Sequence, residues 1–202
     1  DCEVAAAVGR EEIVGLYKIL LKHIFSSLHF VHAIIFRNFA KGQQKNSKKM
    51  KYPIGIQSFD QIVEGGFVYV DKTALVYDLV HNGKTYFLSR PRRFGKSLLV
   101  STLKCFFEGK RELFKGLAID SLEKEWKKHP VFHLSFGGQN FVEPHTLDNV
   151  LEEFVARAEQ LYGKDEFAVT LGSRFQAVLR NAHAKTGERA VVLIDEYDKP
   201  LL

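Results

Sequence analysis

The sequence predicts an α/β fold built on a mostly parallel sheet, and three observations lead there. Runs rich in β-branched and aromatic residues alternate along the chain with segments whose apolar residues recur at helical spacing. One of those runs, Ala190-Val191-Val192-Leu193-Ile194, is continuously apolar, the pattern of a strand buried on both faces. The third sign is Gly95-Lys96-Ser97, set between an apolar run and a helical pattern, so that a strand passes into a helix through a glycine-bearing turn.

Each element follows from local pattern. Val76-Tyr77-Asp78-Leu79-Val80 reads as a short helix that Asn82-Gly83 terminates. Thr85-Tyr86-Phe87-Leu88 reads as a strand, and the segment after Gly95 as a helix through about Phe107. Gly109 and Gly116 mark loops. Val131-Phe132-His133-Leu134-Ser135-Phe136 reads as a second strand, closed by Gly137-Gly138. Leu147, Val150, Leu151, Phe154, Val155, Ala158 and Leu161 recur at helical spacing, with Gly163 as the stop. A further helix runs from about Ser173 to Ala184 and buries Phe175, Val178 and Leu179, and Gly187 precedes the last strand. Crossovers between parallel strands are expected to be right-handed. No internal repeat is apparent.

The turn carries chemistry. Residues Arg90 to Ser97 read R-P-R-R-F-G-K-S, which matches the phosphate-binding pattern G-x-x-x-x-G-K-[ST] except that Arg90 stands at the first glycine. Clustered phosphate charge needs backbone N–H donors, a helix N-terminus and a cation. Gly95 lets the backbone approach the phosphates, Lys96 reaches the β- and γ-phosphates, and the Ser97 hydroxyl sits on Mg²⁺. Arg92 and Arg93 raise the local positive potential, or are simply solvated; with Phe94 and Leu98 they complete the candidate cofactor-binding set. A bare G-K-S opens many ordinary helices, and it is the flanking strand and helix that argue for the loop.

The last strand supplies a second half. It closes on Asp195-Glu196, and ligands in parallel sheets bind at the carboxyl ends of strands. Asp195 there can hold Mg²⁺ opposite Ser97, commonly through water, and Glu196 can orient or deprotonate an attacking water. The candidate catalytic residues are therefore Glu196 and Lys96, and the candidate metal ligands Ser97 and Asp195. Acids also end strands at surfaces for no catalytic reason. Both halves in this order, about a hundred residues apart, favour a P-loop NTPase.

Several segments together resemble the bacterial AAA-ATPase-like proteins, whose full-length members often carry a C-terminal PD-(D/E)XK nuclease-like domain. They are Pro53-Ile54-Gly55-Ile56-Gln57-Ser58-Phe59, Phe67-Val68-Tyr69-Val70-Asp71-Lys72-Thr73, the stretch from Phe87 to Ser97, Leu113-Phe114-Lys115-Gly116-Leu117, and Leu193-Ile194-Asp195-Glu196-Tyr197-Asp198-Lys199-Pro200. The resemblance covers roughly residues 51 to 202, and within it Arg90 is a family trait. It implies a three-layer P-loop sandwich, ATP with Mg²⁺, and hydrolysis in the full-length protein. It gives Asp71 and Lys72 no chemistry, and a helix-capping Asp71 is the plain reading. Tyr197 and Asp198 are likewise without a role.

The resemblance also implies a further strand inserted between the loop strand and the Asp195 strand, bearing a residue that senses the γ-phosphate, with any arginine finger later still. The chain stops at Leu202, after the Walker B strand, so it reads as an inactive, poorly stable fragment of a longer protein, with residues 50–202 the N-terminal part of the ATPase domain. Met50 is the single methionine and the resemblance begins there, so residues 1–49 read as sequence upstream of a natural start, or a fusion remnant. Residues 41–49 are polar and basic, a disordered linker by composition. The apolar run Ile24 to Phe36 falls short of the ~20 residues that span a membrane, leaving an interfacial helix as its alternative use.

Charge and cysteine narrow the partners. The net charge is +5, but residues 1–50 hold eight Lys/Arg against four Asp/Glu, and the rest hold 21 against 20. The basic excess thus lies outside the ATPase-like part and says little about nucleic acid there. Cys2 and Cys105 have no metal spacing, Cys105 falls on the helix after the loop as a buried structural thiol, and both suit a reduced cytoplasmic setting. His129 and His133 alternate onto one face of a strand without a metal motif. Two other functions stand beside the ATPase: a nucleotide-binding regulatory switch with little turnover, coupled to a nuclease-like partner domain, and a nucleic-acid enzyme, for which no carboxylate cluster is present. Oligomeric state is left open.

Overall fold

The computed structural model describes residues 50–89, 91, 93–143 and 145–201. Residues 1–49, with the linker and the Ile24–Phe36 run, lie outside them. In chain order the elements are α1 (Phe59–Glu64), α2 (Thr73–Asn82), α3 (Lys96–Phe107), a 3₁₀ turn (Arg111–Phe114), α4 (Ala118–Leu122), β1 (Val131–Ser135), α5 (Thr146–Tyr162), α6 (Leu171–Thr186), β2 (Val191–Asp195) and a 3₁₀ turn (Lys199–Leu201). β1 and β2 pair in parallel, with Val131 beside Val191 and Ser135 beside Asp195. The α/β character, the parallel pairing and the long helices are as the sequence predicts.

Helix ends are set by local chemistry. Gly95 precedes α3 in the left-handed region and its carbonyl accepts the first helical bond, from Leu99 N–H at 3.0 Å. α6 starts where the Thr170 hydroxyl accepts from Ser173 N–H at 3.2 Å, and it ends at Gly187, φ +74. α5 ends at Gly163, the predicted stop.

Two cores form. Phe59 (α1), Val76 (α2), Cys105 and Phe106 (α3), Leu113 and Phe114, and Ile119 (α4) make the first. Burial there pushes the Cys105 thiol up to about 11, so it stays protonated and inert. Phe132 on β1 gathers Ala158 of α5 with Val178 and Ala182 of α6 into the second. Across it, Arg174 holds both carboxylate oxygens of Glu159 at 2.9 Å, tying α6 to α5.

Asp71 joins the first core's helices. Its Oδ1 accepts from Thr73 N–H at 2.8 Å and Thr73 Oγ1 at 2.7 Å, and its Oδ2 accepts from Ala118 N–H at 2.7 Å. The buried Thr73 hydroxyl in turn accepts from Ile119 N–H at 3.1 Å. Asp71 therefore caps α2, as expected, and anchors the start of α4 as well.

The structure departs from the sequence reading in several places, among them β2, expected to be buried on both faces, where Val192 and Ile194 are exposed. Residues 85–88 form no strand: the described sheet has only β1 and β2, and Phe87 is 68% exposed. An extended run becomes a strand only when a neighbour supplies ladder partners, and none of the described residues does so here. The helices α1 and α4 were not foreseen, being six and five residues long and too short to display a helical period. Finally, the apolar stripe of α5 is narrower than its spacing suggests. Val155 and Ala158 are buried, while Leu161 is 66% exposed.

Candidate functional site

The phosphate-loop pattern and Glu196, one of the two acids, meet at one cleft. It encloses about 900 Å³ and is lined by Ile54–Gln57, Pro91, Arg93–Leu98, Glu196, Asp198 and Lys199. Of the predicted site residues it brings together Arg93, Phe94, Gly95, Lys96, Ser97, Leu98 and Glu196. Arg92 lies outside the described residues.

The loop backbone is curled. Arg93 and Gly95 both adopt left-handed φ, +67° and +73°, with Phe94 between them outside that region. Alternation of this kind turns successive N–H groups toward one side, which makes a concavity for an anion. A Cβ added at Gly95 would meet nothing within 4 Å, so glycine is required there by its backbone and its open side faces free space. Lys96 and Ser97 then form the first residues of α3, at the positive end of the helix dipole.

The acid pair is held from both strands. Asp195 ends β2 at 9% exposure and is not among the residues that line the cleft, and its Oδ1 accepts from Glu196 N–H at 2.9 Å. Its carbonyl accepts from Phe136 N–H at 3.2 Å, prolonging the β1 pairing by one residue. Glu196 has φ +53, an uncommon conformation for a side-chain-bearing residue, and its carbonyl accepts from Lys199 N–H at 3.0 Å. Tyr197 stacks near Phe87 with ring centroids 5.0 Å apart, which brings the stretch before the loop alongside the stretch after β2.

In donor chemistry the residues fit Mg²⁺. A hydroxyl at Ser97 and a carboxylate at Asp195 are the hard oxygen ligands it takes, and Mg²⁺ keeps much of its shell as water, so two protein ligands suffice. Among the described residues no group of three or more His, Cys, Asp or Glu is arranged to hold a metal, which is a different kind of site. His129 spends its Nδ1 on the Arg189 carbonyl at 3.0 Å, and His133 Nε2 is buried without a partner, its ring held neutral chiefly by burial and further by Lys104.

Sequence reasoning missed the wall formed by Ile54, Gly55, Ile56 and Gln57, and the contributions of Asp198 and Lys199. Family-like segments marked those positions, but no side-chain chemistry there pointed to a ligand.

Among the described residues no helix is long and apolar enough to cross a membrane. A family model described as a predicted AAA-ATPase, AAA-ATPase-like, matches residues 53–202. The chain is 44% identical over 155 residues to an "Uncharacterized protein in vnfD 5'region" of Azotobacter chroococcum mcd 1. That alignment takes in 76% of this chain and 30% of the relative, so the chain spans about a third of the relative's length. No solved structure matches. With the family model covering most of the chain and the loop and Glu196 lining one cleft, the chain belongs to the AAA-ATPase-like family.

Proposed function

We propose that the cleft binds ATP and, in the full-length protein, hydrolyses it with Mg²⁺. The observation that carries this reading is the meeting, in one cleft, of Gly95-Lys96-Ser97 at the start of α3 with Glu196 at the end of β2. Loop N–H groups and Lys96 would hold the β- and γ-phosphates and stabilise the charge that gathers on them in the transition state. Ser97 and Asp195 would hold Mg²⁺, which supplies charge neutralisation at the phosphates. Glu196 would orient a water for attack and take its proton. Residues 50–202 would then be the N-terminal part of a three-layer P-loop domain, and in the longer protein that domain would drive or gate a nuclease-like partner.

The test uses the full-length protein. Lys96→Ala should weaken ATP binding at least tenfold and abolish phosphate release. Glu196→Gln should keep ATP bound and lower turnover by about 10²-fold or more, the size of a lost acid–base contribution. A parent that binds ATP with little turnover, and that Glu196→Gln changes little, would instead make the domain a nucleotide-binding switch.

A further inference from the structure

Two glycines follow β1, and they differ in what requires them. Gly138 lies at φ +79, a backbone that side-chain-bearing residues rarely adopt. Gly137 does not have a left-handed φ, so its backbone would accept alanine. What stands in the way is a side chain from the other strand. A Cβ built on Gly137 would lie 3.0 Å from Glu196 Oε2 and 3.3 Å from its carboxyl carbon, with Ser135 Oγ at 3.4 Å. The space that a side chain at 137 would fill is occupied by the Glu196 carboxylate.

That carboxylate has little freedom to retreat through its backbone. Glu196 N–H is bonded to Asp195 Oδ1 at 2.9 Å and its carbonyl to Lys199 N–H at 3.0 Å, around a φ of +53. Gly137 is itself tied down, its N–H donating to Ser135 Oγ at 3.3 Å. We infer that Gly137 is a positioning residue: the bare backbone there sets where the Glu196 carboxylate stands against the cleft. A methyl group at 137 would displace the carboxylate by a few tenths of an ångström through its χ angles, leaving the strand, the loop and the phosphate side of the cleft untouched. The inference rests on the reading of Glu196 as the residue that orients water.

Double-mutant kinetics on the full-length protein test it. Gly137→Ala should lower turnover about tenfold, given that 1 Å of misplacement can cost ~10²-fold. Its ATP dissociation constant and melting temperature should stay near those of the parent. The same change in a Glu196→Gln background should cost nothing more, since no aligned base remains to be displaced. In a Glu196→Asp background, where the shorter side chain leaves room for the Cβ, Gly137→Ala should again be close to neutral. Parent-like turnover in Gly137→Ala overturns the inference, and so does an equal loss in all three backgrounds. If instead Glu196→Gln alone leaves turnover intact, the hydrolytic reading of Glu196 falls first, and the positioning role with it.

Discussion

His133 sits partly buried on β1. Its Nε2 is buried without a partner, and burial, with Lys104 nearby, holds its pKa below the ordinary value near 6.5. The folded state therefore binds this proton less readily than the unfolded chain. Its stabilising share is complete above pH ~6.5 and is lost as pH falls through the lowered folded value. Melting temperature should drop between pH 7.5 and 5.5, and His133→Leu, neutral throughout, should flatten that drop; an unchanged slope would show that other groups set it. At this scale the sequence was most legible where residue type and spacing carry the proposed chemistry. Gly95, Lys96, Ser97, Asp195 and Glu196 announce themselves by type and spacing. Gly137 and the Ile54–Gln57 wall act by shape and backbone, which leave no mark until the chain is folded.

Junctions between elements explain segments that chemistry alone did not. The Phe67–Thr73 segment ends in a carboxylate that accepts three hydrogen bonds and a buried threonine that accepts another. Burial works to raise the Asp71 pKa, but the Thr73 and Ala118 donors outweigh it and the group lies below its usual value. Asp71→Ala should cost about 1–3 kcal/mol, by uncapping α2 and freeing the start of α4, and denaturant unfolding of the parent and variant would measure it. Asp71→Asn should recover part of the loss, because its carbonyl oxygen still accepts from Thr73. The long elements were readable because period accumulates: Lys96–Phe107, Thr146–Tyr162 and Leu171–Thr186 each run three turns or more. The strand expected at 85–88 was not, because pairing is a property of two segments and periodicity reports only one.

Across the whole molecule the sheet is unevenly covered. Phe132 and Leu134 of β1 are buried, while Val192 and Ile194, their register partners on β2, are 41% and 50% exposed. An apolar strand that, among the described residues, pairs along one edge only and leaves Val192 and Ile194 exposed invites association with a second copy. The 202-residue chain should scatter light increasingly with concentration, and Val192→Lys should suppress this without loss of helical circular dichroism; equal scattering by both would clear β2 of the role. The parallel register has one more consequence, which concerns the order of assembly. Val131 meets Val191 only after α5 and α6 have been threaded between them. Those two helices are neighbours in sequence and are clasped by Arg174 and Glu159, so they can pair locally and shorten the loop that β2 must close. Asp195 and Glu196 arrive with the last pairing, so a chain emerging from synthesis carries the proposed phosphate loop well before the two carboxylates proposed to serve it.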